Sequence, residues 1–183
     1  MCVTRPLRAG SRERPATLKI LLSKGAEKTV PFLPRPEGRG FSGTLMKARI
    51  KWIEQGTFVA ESGSGHAVVI DGPPDVGGRN LGMRPMEMLL LGMGGCTAVD
   101  VISILEKARQ KVTDCVVELS AERAEQVPKV FTRIHVHYLV SGHDLKEHHV
   151  ERAIRLSAEK YCSASVMLGK TAEITHDYQI IQT

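Results

Sequence analysis

The sequence is poor in aromatic residues and in cysteine. Trp, Tyr and Phe together make up 4% of its 183 residues, so any core must be built mainly from Leu, Ile, Val, Met and Ala. Four cysteines are too few for a disulfide scaffold. The first residues also lack the apolar run and small-residue cleavage site of a secretory signal peptide. These absences exclude a small disulfide-rich secreted domain and predict a cytoplasmic protein whose thiols stay reduced unless their chemistry is used.

The motifs of several common enzyme classes are also missing. No glycine-rich loop followed by a suitable lysine indicates phosphate binding, and no serine–histidine–acid pattern indicates a hydrolase. His135 and His137 lie at i, i+2 on one face of a predicted strand and could be a pair of metal ligands. No cysteine or carboxylate pattern completes such a site, so we interpret this face as solvated and predict no metal and no cofactor.

The net charge of +5 is unevenly distributed along the chain. Residues 1–45 hold 9 Lys and Arg against 3 Asp and Glu, whereas residues 46–183 hold 16 against 17. Because the second part is nearly neutral, the basic pI does not indicate binding to nucleic acid. Residues 1–45 also hold five of the nine prolines, and 18–22 is their only ordered-looking piece.

We therefore divide the chain at Met46. Residues 1–45 are predicted to be a basic, Pro/Gly-rich extension that is disordered or lies upstream of an alternative start at Met46. The other interpretation is a basic tail that binds an acidic partner. Regular patterning begins at Met46, and residues 46–183 are predicted to form one domain.

The hydrophobic pattern of residues 46–183 predicts an α+β fold around one long central helix. Ala48, Ile50 and Trp52 alternate with polar residues, which indicates a half-buried strand. A helix is predicted from Pro85 to about Lys111, because proline suits the first helical turn. The remaining pattern predicts further elements, namely strands at 57–61, 66–71, 114–121, 130–140 and 173–181 and helical segments at 150–162 and 163–168.

The first part of the long helix is apolar on nearly every side. Residues 88–105 number about 18, the minimum for a membrane span. Asp100 lies inside this stretch, and Glu87 and Glu106 flank it closely. A charged residue is costly inside a membrane. We therefore predict a helix buried in a protein core and no membrane association.

Cys96 is the first candidate for chemistry, because it follows three glycines in a helix. Each glycine costs on the order of 1 kcal/mol relative to alanine, so close packing must compensate. A stripe of modest-sized residues contains Gly92, Cys96 and Val99, and a similar stripe on the second helix contains Cys162. Packing of these stripes would bring the two cysteines together. The alternative is that both are ordinary buried cysteines.

A reactive Cys96 needs a nearby positive group, because burial disfavours the thiolate. The candidates are Arg79 and Arg84 in the preceding loop and Lys160 near Cys162. Glu87, one turn into the helix, could orient such an arginine. Its other interpretation is a favourable negative charge at a helix N-terminus.

Two segments of the sequence together resemble the OsmC/Ohr family and, within it, the YhfA-like subgroup. The first is RPMEMLLLGMGGC at 84–96, and the second is EKYCS at 159–163, which places Cys162 66 positions after Cys96. The resemblance covers Met46 to the C-terminus. It implies an intertwined homodimer in which antiparallel sheets wrap around the long central helices, with active sites near the subunit interface.

The resemblance also implies thiol-dependent reduction of organic hydroperoxides in oxidative-stress defence. Cys96 would be the peroxidatic cysteine, Cys162 the resolving cysteine, and Glu87 part of the site. An external dithiol would regenerate the thiols without a metal or cofactor. Family peroxidases pair the reactive cysteine with an arginine from the early strands and a glutamate just after the helix-initiating proline.

This sequence departs from that pattern at two places. It has no arginine between Arg49 and Arg79, and Met86 occupies the usual place of the glutamate, with Glu87 one residue later. An alternative function therefore stays open, in which the dimer binds a small apolar ligand in an interface pocket with little or no peroxidase activity.

Overall fold

The computed structural model describes residues 17–21, 27–31 and 46–183 of the chain. These residues belong to two compact units, and the boundary between the units in the sequence falls between Met83 and Arg84. Cys2 and the rest of the predicted extension lie outside the described residues.

The first unit consists of five strands in two sheets. Strands β1 (Thr17–Leu21) and β2 (Glu27–Pro31) pair as an antiparallel hairpin. Strands β3 (Ala48–Glu54), β4 (Thr57–Ser62) and β5 (Ala67–Ile70) form an antiparallel meander. The three meander strands confirm the sequence prediction. The β1–β2 hairpin lies within the predicted extension and was not expected there beyond the single ordered-looking piece at 18–22.

The hairpin determines which face of β3 is buried. Val30 of β2 is fully buried in a cluster with Ile53 and Val59. Arg49 also donates a hydrogen bond from its side chain to the backbone carbonyl of Pro31. Since the hairpin packs on this side, the opposite face of β3, which carries Ile50 and Trp52, is about 60% exposed. The predicted strand is confirmed. The predicted burial of the face that carries Ala48, Ile50 and Trp52 is wrong for the single chain.

The second unit contains the long helix and a three-stranded sheet. Its elements are α1 (Pro85–Lys107), β6 (Lys111–Arg123), β7 (Phe131–His143), α2 (Glu147–Leu156), a π turn (Ser157–Tyr161), α3 (Ser163–Leu168) and β8 (Glu173–Gln182). This order confirms the predicted α+β class. Helix α1 ends at Lys107 rather than near Lys111, because Arg109 adopts a left-handed φ of 56° and Lys111 already begins β6.

The sheet of the second unit is mixed rather than antiparallel. Strand β7 pairs antiparallel with β6 and parallel with β8. A parallel neighbour requires a crossover connection. Here α2, the π turn and α3 provide the crossover.

One face of α1 packs into the core of this unit. The core combines buried side chains of α1, β7 and α2, among them Met93, Val101, Leu105, Ile134, Val136, Tyr138, Val140, Val150 and Ala153.

The other face of α1 is apolar and exposed in the single chain. Leu91 is 59% exposed and Val99 is 70% exposed. The helix is long and apolar enough to span a membrane by length and composition, and 28% of its most apolar window is buried. The predicted core helix is therefore covered by its own chain on one side only.

Candidate functional site

Cys96 lies in the middle of α1 at the margin of its buried face. Met93, Gly94 and Thr97 point into the core, and Cys96 is half-buried beside them. A Cβ atom on Gly94 would lie 2.7 Å from Leu119 Cδ1, so this glycine permits the close approach of β6. Gly92, in contrast, has open space around it. The predicted close-packing stripe through Gly92 and Val99 is therefore wrong for the single chain.

Cys162 is positioned by the π turn that ends the second helix. Its backbone N–H donates to the carbonyl of Ser157 at 2.9 Å, a bond that spans five residues. π turns of this kind are rare, and they occur frequently at functional sites. The side chain is fully buried, and its Sγ atom accepts the backbone N–H of Ser165 at 3.4 Å as the cap of α3. The thiol also lies 4.0 Å from the carbonyl oxygen of Met93 on α1.

The two cysteines meet at the contact between α1 and the π turn. Cys96 Sγ, Cys162 Sγ and a carboxylate oxygen of Asp100 all lie within 4.8 Å of one another. The two sulfurs are thus neighbours although 66 positions separate them in the sequence. The structure confirms that the two helices bring them together, with Met93 and Asp100 rather than Gly92 and Val99 beside the contact.

A chain of buried hydroxyl groups leads from this cluster into the core. Thr97 Oγ1 lies 2.7 Å from Tyr138 Oη and 2.8 Å from Ser157 Oγ. Ser157 in turn donates to Asp100 Oδ2 at 3.2 Å. Buried polar groups are stable when they are hydrogen-bonded in this way. The network fixes the Asp100 carboxylate beside the two thiols.

Sequence reasoning missed Asp100 and Ser157 as parts of the site. The sequence interpretation uses Asp100 only as a charge in an apolar helix. Asp100 lies four residues after Cys96 and so shares its helix face, and this spacing could have identified it as part of the site. Ser157 had no comparable signal, because its contact with Asp100 spans 57 positions and depends on the π turn.

The environment keeps the buried thiol protonated. Burial raises the pKa of Cys162, hydrogen bonding from Ser165 acts in the opposite direction, and the neighbouring Cys96 raises it further. None of these influences comes from a cation. Burial is also the main reason that the pKa of Tyr138 rises to about 12.

Glu87 lies at the start of α1, far from Cys96 in the same chain. Nine residues of helix correspond to a rise of about 13 Å. Its carboxylate accepts the backbone N–H of Arg84 at 2.8 Å and pairs with the Arg84 guanidinium at 3.0 Å. These bonds lower the pKa of Glu87. Within one chain Glu87 therefore both orients Arg84 and supplies the negative charge that suits a helix N-terminus.

The other candidate cations also have partners of their own. Arg79, in the first unit, pairs with Glu54 at 2.6 Å and donates to Thr57 at 3.2 Å. Lys160 Nζ lies 5.4 Å from the centre of the Tyr161 ring. Arg79, Arg84 and Lys160 are thus held by other partners. None of the contacts described for these three cations is with Cys96 or Cys162.

The strand histidines form a separate polar cluster on the outer face of the sheet. His135 Nδ1 lies 2.8 Å from Thr175 Oγ1, and its Nε2 lies 3.5 Å from Asp177. His137 hydrogen-bonds to the same carboxylate. Asp177 comes from the parallel neighbour β8, so sequence spacing could not identify it. The pKa of Asp177 is lowered chiefly by its hydrogen bond with His137.

Comparison with known proteins agrees with this architecture. A family model described as OsmC-like protein matches residues 77–177. Protein YhfA of Escherichia coli strain K12 is 50% identical over 139 residues, which cover 74% of this chain and 98% of that protein.

Solved structures show the same fold. A hypothetical protein from Aquifex aeolicus VF5 is 28% identical and superposes with a TM-score of 0.68, covering 76% of this chain and 98% of that one. An organic hydroperoxide resistance protein OsmC from Legionella pneumophila has a TM-score of 0.60 at 13% identity, covering 76% of this chain and 99% of that one. Because the family model spans more than half of the chain and a relative is half identical over nearly its whole length, this protein belongs to the OsmC family and is similar to YhfA.

Proposed function

We propose that the protein reduces organic hydroperoxides with Cys96 and Cys162. The observation that supports this proposal is the position of the two sulfurs within 4.8 Å of each other at a helix–helix contact. Formation of an S–S bond of about 2.0 Å then requires the two sulfurs to approach each other further. The name of the Legionella relative, an organic hydroperoxide resistance protein, is consistent with this chemistry.

The reaction balances with these two thiols and one external dithiol. The Cys96 thiolate attacks the peroxide, the O–O bond breaks, and the alkoxide leaves and takes a proton to become the alcohol. Cys96 is then a sulfenic acid, which condenses with the Cys162 thiol to give a disulfide and water. A small-molecule or protein dithiol then reduces the disulfide through a mixed-disulfide intermediate.

The different burial of the two cysteines supports their assigned order. Cys96 is half-buried in the single chain, whereas Cys162 is fully buried. Burial also raises the pKa of Cys162, so this thiol keeps its proton until the sulfenic acid forms beside it. Cys96 is therefore the peroxidatic residue in this proposal and Cys162 the resolving residue. The proposal keeps Glu87 as part of the site, where it orients Arg84 through their ion pair at the start of α1.

A second copy of the chain is the expected structural partner. Several large apolar side chains are exposed in the single chain, including Trp52 at 61%, Leu91 at 59% and Val99 at 70%. Exposed apolar surface of this kind is typical of interfaces. We propose a cytoplasmic homodimer in which the exposed face of α1 is covered. Sedimentation should show a dimer for the unaltered chain and a monomer for Val99→Asp.

Peroxide consumption by purified full-length variants tests the proposed activity. With cumene hydroperoxide and dithiothreitol, Cys96→Ser should lose at least about 1,000-fold in rate, as expected when a nucleophile is removed. Without dithiothreitol, Cys162→Ser should consume one equivalent of peroxide and accumulate a sulfenic acid. Cys115→Ser is the matched control, because Cys115 is a half-buried free thiol on β6, and it should retain full activity. A Cys96→Ser protein as fast as the unaltered one would refute the proposal.

One observation favours small-ligand binding as a second candidate function. A groove of about 570 Å³ in the second unit is lined by Ile154, Ile174, Tyr178 and His176, among others. The Nε2 atom of His176 is buried without a hydrogen-bond partner among the described residues. A ligand with a polar group could satisfy it. Native mass spectrometry that finds a bound small molecule, together with no peroxide consumption, would favour this function.

A further inference from the structure

The cluster at Cys96 combines three potential metal ligands. The two sulfurs and the Asp100 carboxylate oxygen lie within 4.8 Å of one another. They come from two elements, α1 and the end of the π turn, so the fold rather than local sequence assembles them. In a tetrahedral zinc site the ligand atoms lie closer to one another than 4.8 Å. The reason is that Zn–S bonds measure about 2.3 Å and Zn–O bonds about 2.0–2.2 Å. Rotation of the side chains would close the difference.

The surroundings of the cluster suit a cation. All three groups bind a metal as anions, yet the described contacts of the cluster are with neutral groups. They are the Ser157 hydroxyl, the Ser165 N–H and the Met93 carbonyl. Among residues 46–183, the ion pairs formed between side chains do not include Asp100. A divalent cation would therefore compensate charge that the described residues leave without an opposite partner.

The carboxylate is already oriented for such a role. Ser157 is fully buried and donates to Asp100 Oδ2, while Thr97 and Tyr138 hold Ser157 in turn. Hydrogen bonds that orient metal-binding carboxylates are a regular feature of metal sites. One oxygen of this carboxylate lies within 4.8 Å of both sulfurs.

We propose that the reduced protein binds a zinc ion through Cys96, Cys162 and Asp100. Two thiolates favour a soft or borderline metal such as Zn²⁺ over Mg²⁺ or Ca²⁺. Three protein ligands leave a fourth position for water, as in open zinc sites. Binding releases the two thiol protons, since both cysteines coordinate as thiolates.

The proposal goes beyond the proposed peroxide reduction and does not depend on it. Zinc needs both sulfurs as separate thiolates, whereas a Cys96–Cys162 disulfide has neither available. Oxidation of the pair would therefore release the metal, and bound metal would protect the pair from oxidation. The same three residues would act as a zinc site whose occupancy follows the redox state of the thiols.

Zinc titration of the full-length protein in competition with a chromogenic chelator tests this inference. The reduced protein should bind one Zn²⁺ per chain, and the protein oxidised to the disulfide should bind none. Loss of a residue that merely orients a ligand costs about 10- to 100-fold in affinity, so Asp100→Asn should weaken binding by at least that much. Cys115→Ser is the matched control and should bind as the unaltered chain does.

Cobalt substitution gives a readout that does not rely on any variant. Co²⁺ bound to the reduced chain should show sulfur-to-cobalt charge-transfer absorption, which disappears on oxidation. Absence of stoichiometric binding to the reduced chain would overturn the proposal. So would binding that survives Asp100→Asn but is lost in His135→Ala, because the metal would then lie at the histidine cluster on the sheet. A protein that reduces peroxide yet binds no zinc would refute this inference and leave the proposed function intact.

Discussion

Buried polar groups are satisfied differently in residues 46–83 and in residues 84–183. In the first region buried carboxylates meet cations and backbone donors. Glu61 is 3% exposed and accepts two hydrogen bonds from the Arg49 guanidinium, at 2.9 and 3.0 Å. Asp71 is 1% exposed and accepts the backbone N–H groups of Gly72, Arg79 and Leu81.

In the second region the buried polar cluster is built mainly from neutral groups. Thr97, Tyr138 and Ser157 form a chain of hydroxyls that ends at Asp100, beside the two thiols. The arginines of the first region stabilise its carboxylates, whereas the cysteine cluster has no such partner among its described contacts. The buried carboxylates of residues 46–83 have cationic or N–H partners and so contribute to stability. The cysteine cluster has no cation among its described contacts, and it is there that we propose that a peroxide or a metal ion binds.

The largest effect on stability should come from the Arg49–Glu61 pair. Arg49→Met removes the guanidinium from a carboxylate whose side chain is 2% exposed, although Arg49 itself is 34% exposed. Loss of a charged donor to a buried carboxylate should cost about 3 kcal/mol. Urea unfolding of the full chain measures this cost. Arg133→Met is the matched control, because Arg133 pairs with Glu122 and Glu173 on an exposed face and should lose less than about 1 kcal/mol. Equal costs for the two variants would contradict the comparison.

Asp71 should make the first region sensitive to acid. Burial acts to raise the pKa of this carboxyl, but hydrogen bonds from Leu81, Arg79 and Gly72 outweigh it, so the pKa lies below 3.8 in the folded chain. A group with a lowered folded pKa stabilises the protein fully above the unfolded value, and this contribution is lost as the pH falls below it. Stability should therefore drop below about pH 4.

The variant Asp71→Asn isolates this contribution. It replaces a charge-assisted acceptor with a neutral amide and should cost about 2–3 kcal/mol at pH 7. Its stability should vary less between pH 5 and pH 3 than that of the unaltered chain, as measured by thermal unfolding at each pH. A variant with the same acid sensitivity as the unaltered chain would show that other carboxylates control it.

The smallest effect should come from the neutral cluster of the second region. Thr97→Val keeps the shape of the side chain but removes the hydroxyl that joins Tyr138 to Ser157, which should cost about 1–2 kcal/mol. Circular dichroism during urea unfolding measures it. Thr132→Val on the exposed side of β7 is the matched control and should change stability by less than about 0.5 kcal/mol. A Thr97→Val protein as stable as its control would show that the hydroxyl chain is not needed for the fold.

The sequence predicted those parts of the molecule that depend on local periodicity. Alternating residues from Ala48 predicted β3, and Pro85 marked the start of α1. The meeting of Cys96 with Cys162 also followed from helical spacing, because one helix face can be read from a single sequence. The helix end at Lys107 was not predicted, since the left-handed turn at Arg109 has no glycine to signal it.

The remaining features depend on contacts that no local pattern contains. The hairpin β1–β2 reverses the buried face of β3, and the π turn at 157–161 shifts Ser157 and Cys162 relative to a regular helix. The parallel pairing of β8 with β7 brings Asp177 to the strand histidines. Asp100 is the exception, because its spacing from Cys96 could have identified it.

The adjacency of the Cys96 and Cys162 sulfurs is the claim on which the proposed chemistry depends. Peptide mass spectrometry after treatment of the reduced chain with one equivalent of cumene hydroperoxide tests it directly. The account predicts a loss of two hydrogens per chain and one peptide pair linked through Cys96 and Cys162, with Cys115 still a free thiol. Recovery of Cys96 and Cys162 as unlinked thiols, or Cys96 linked to another cysteine, would contradict it.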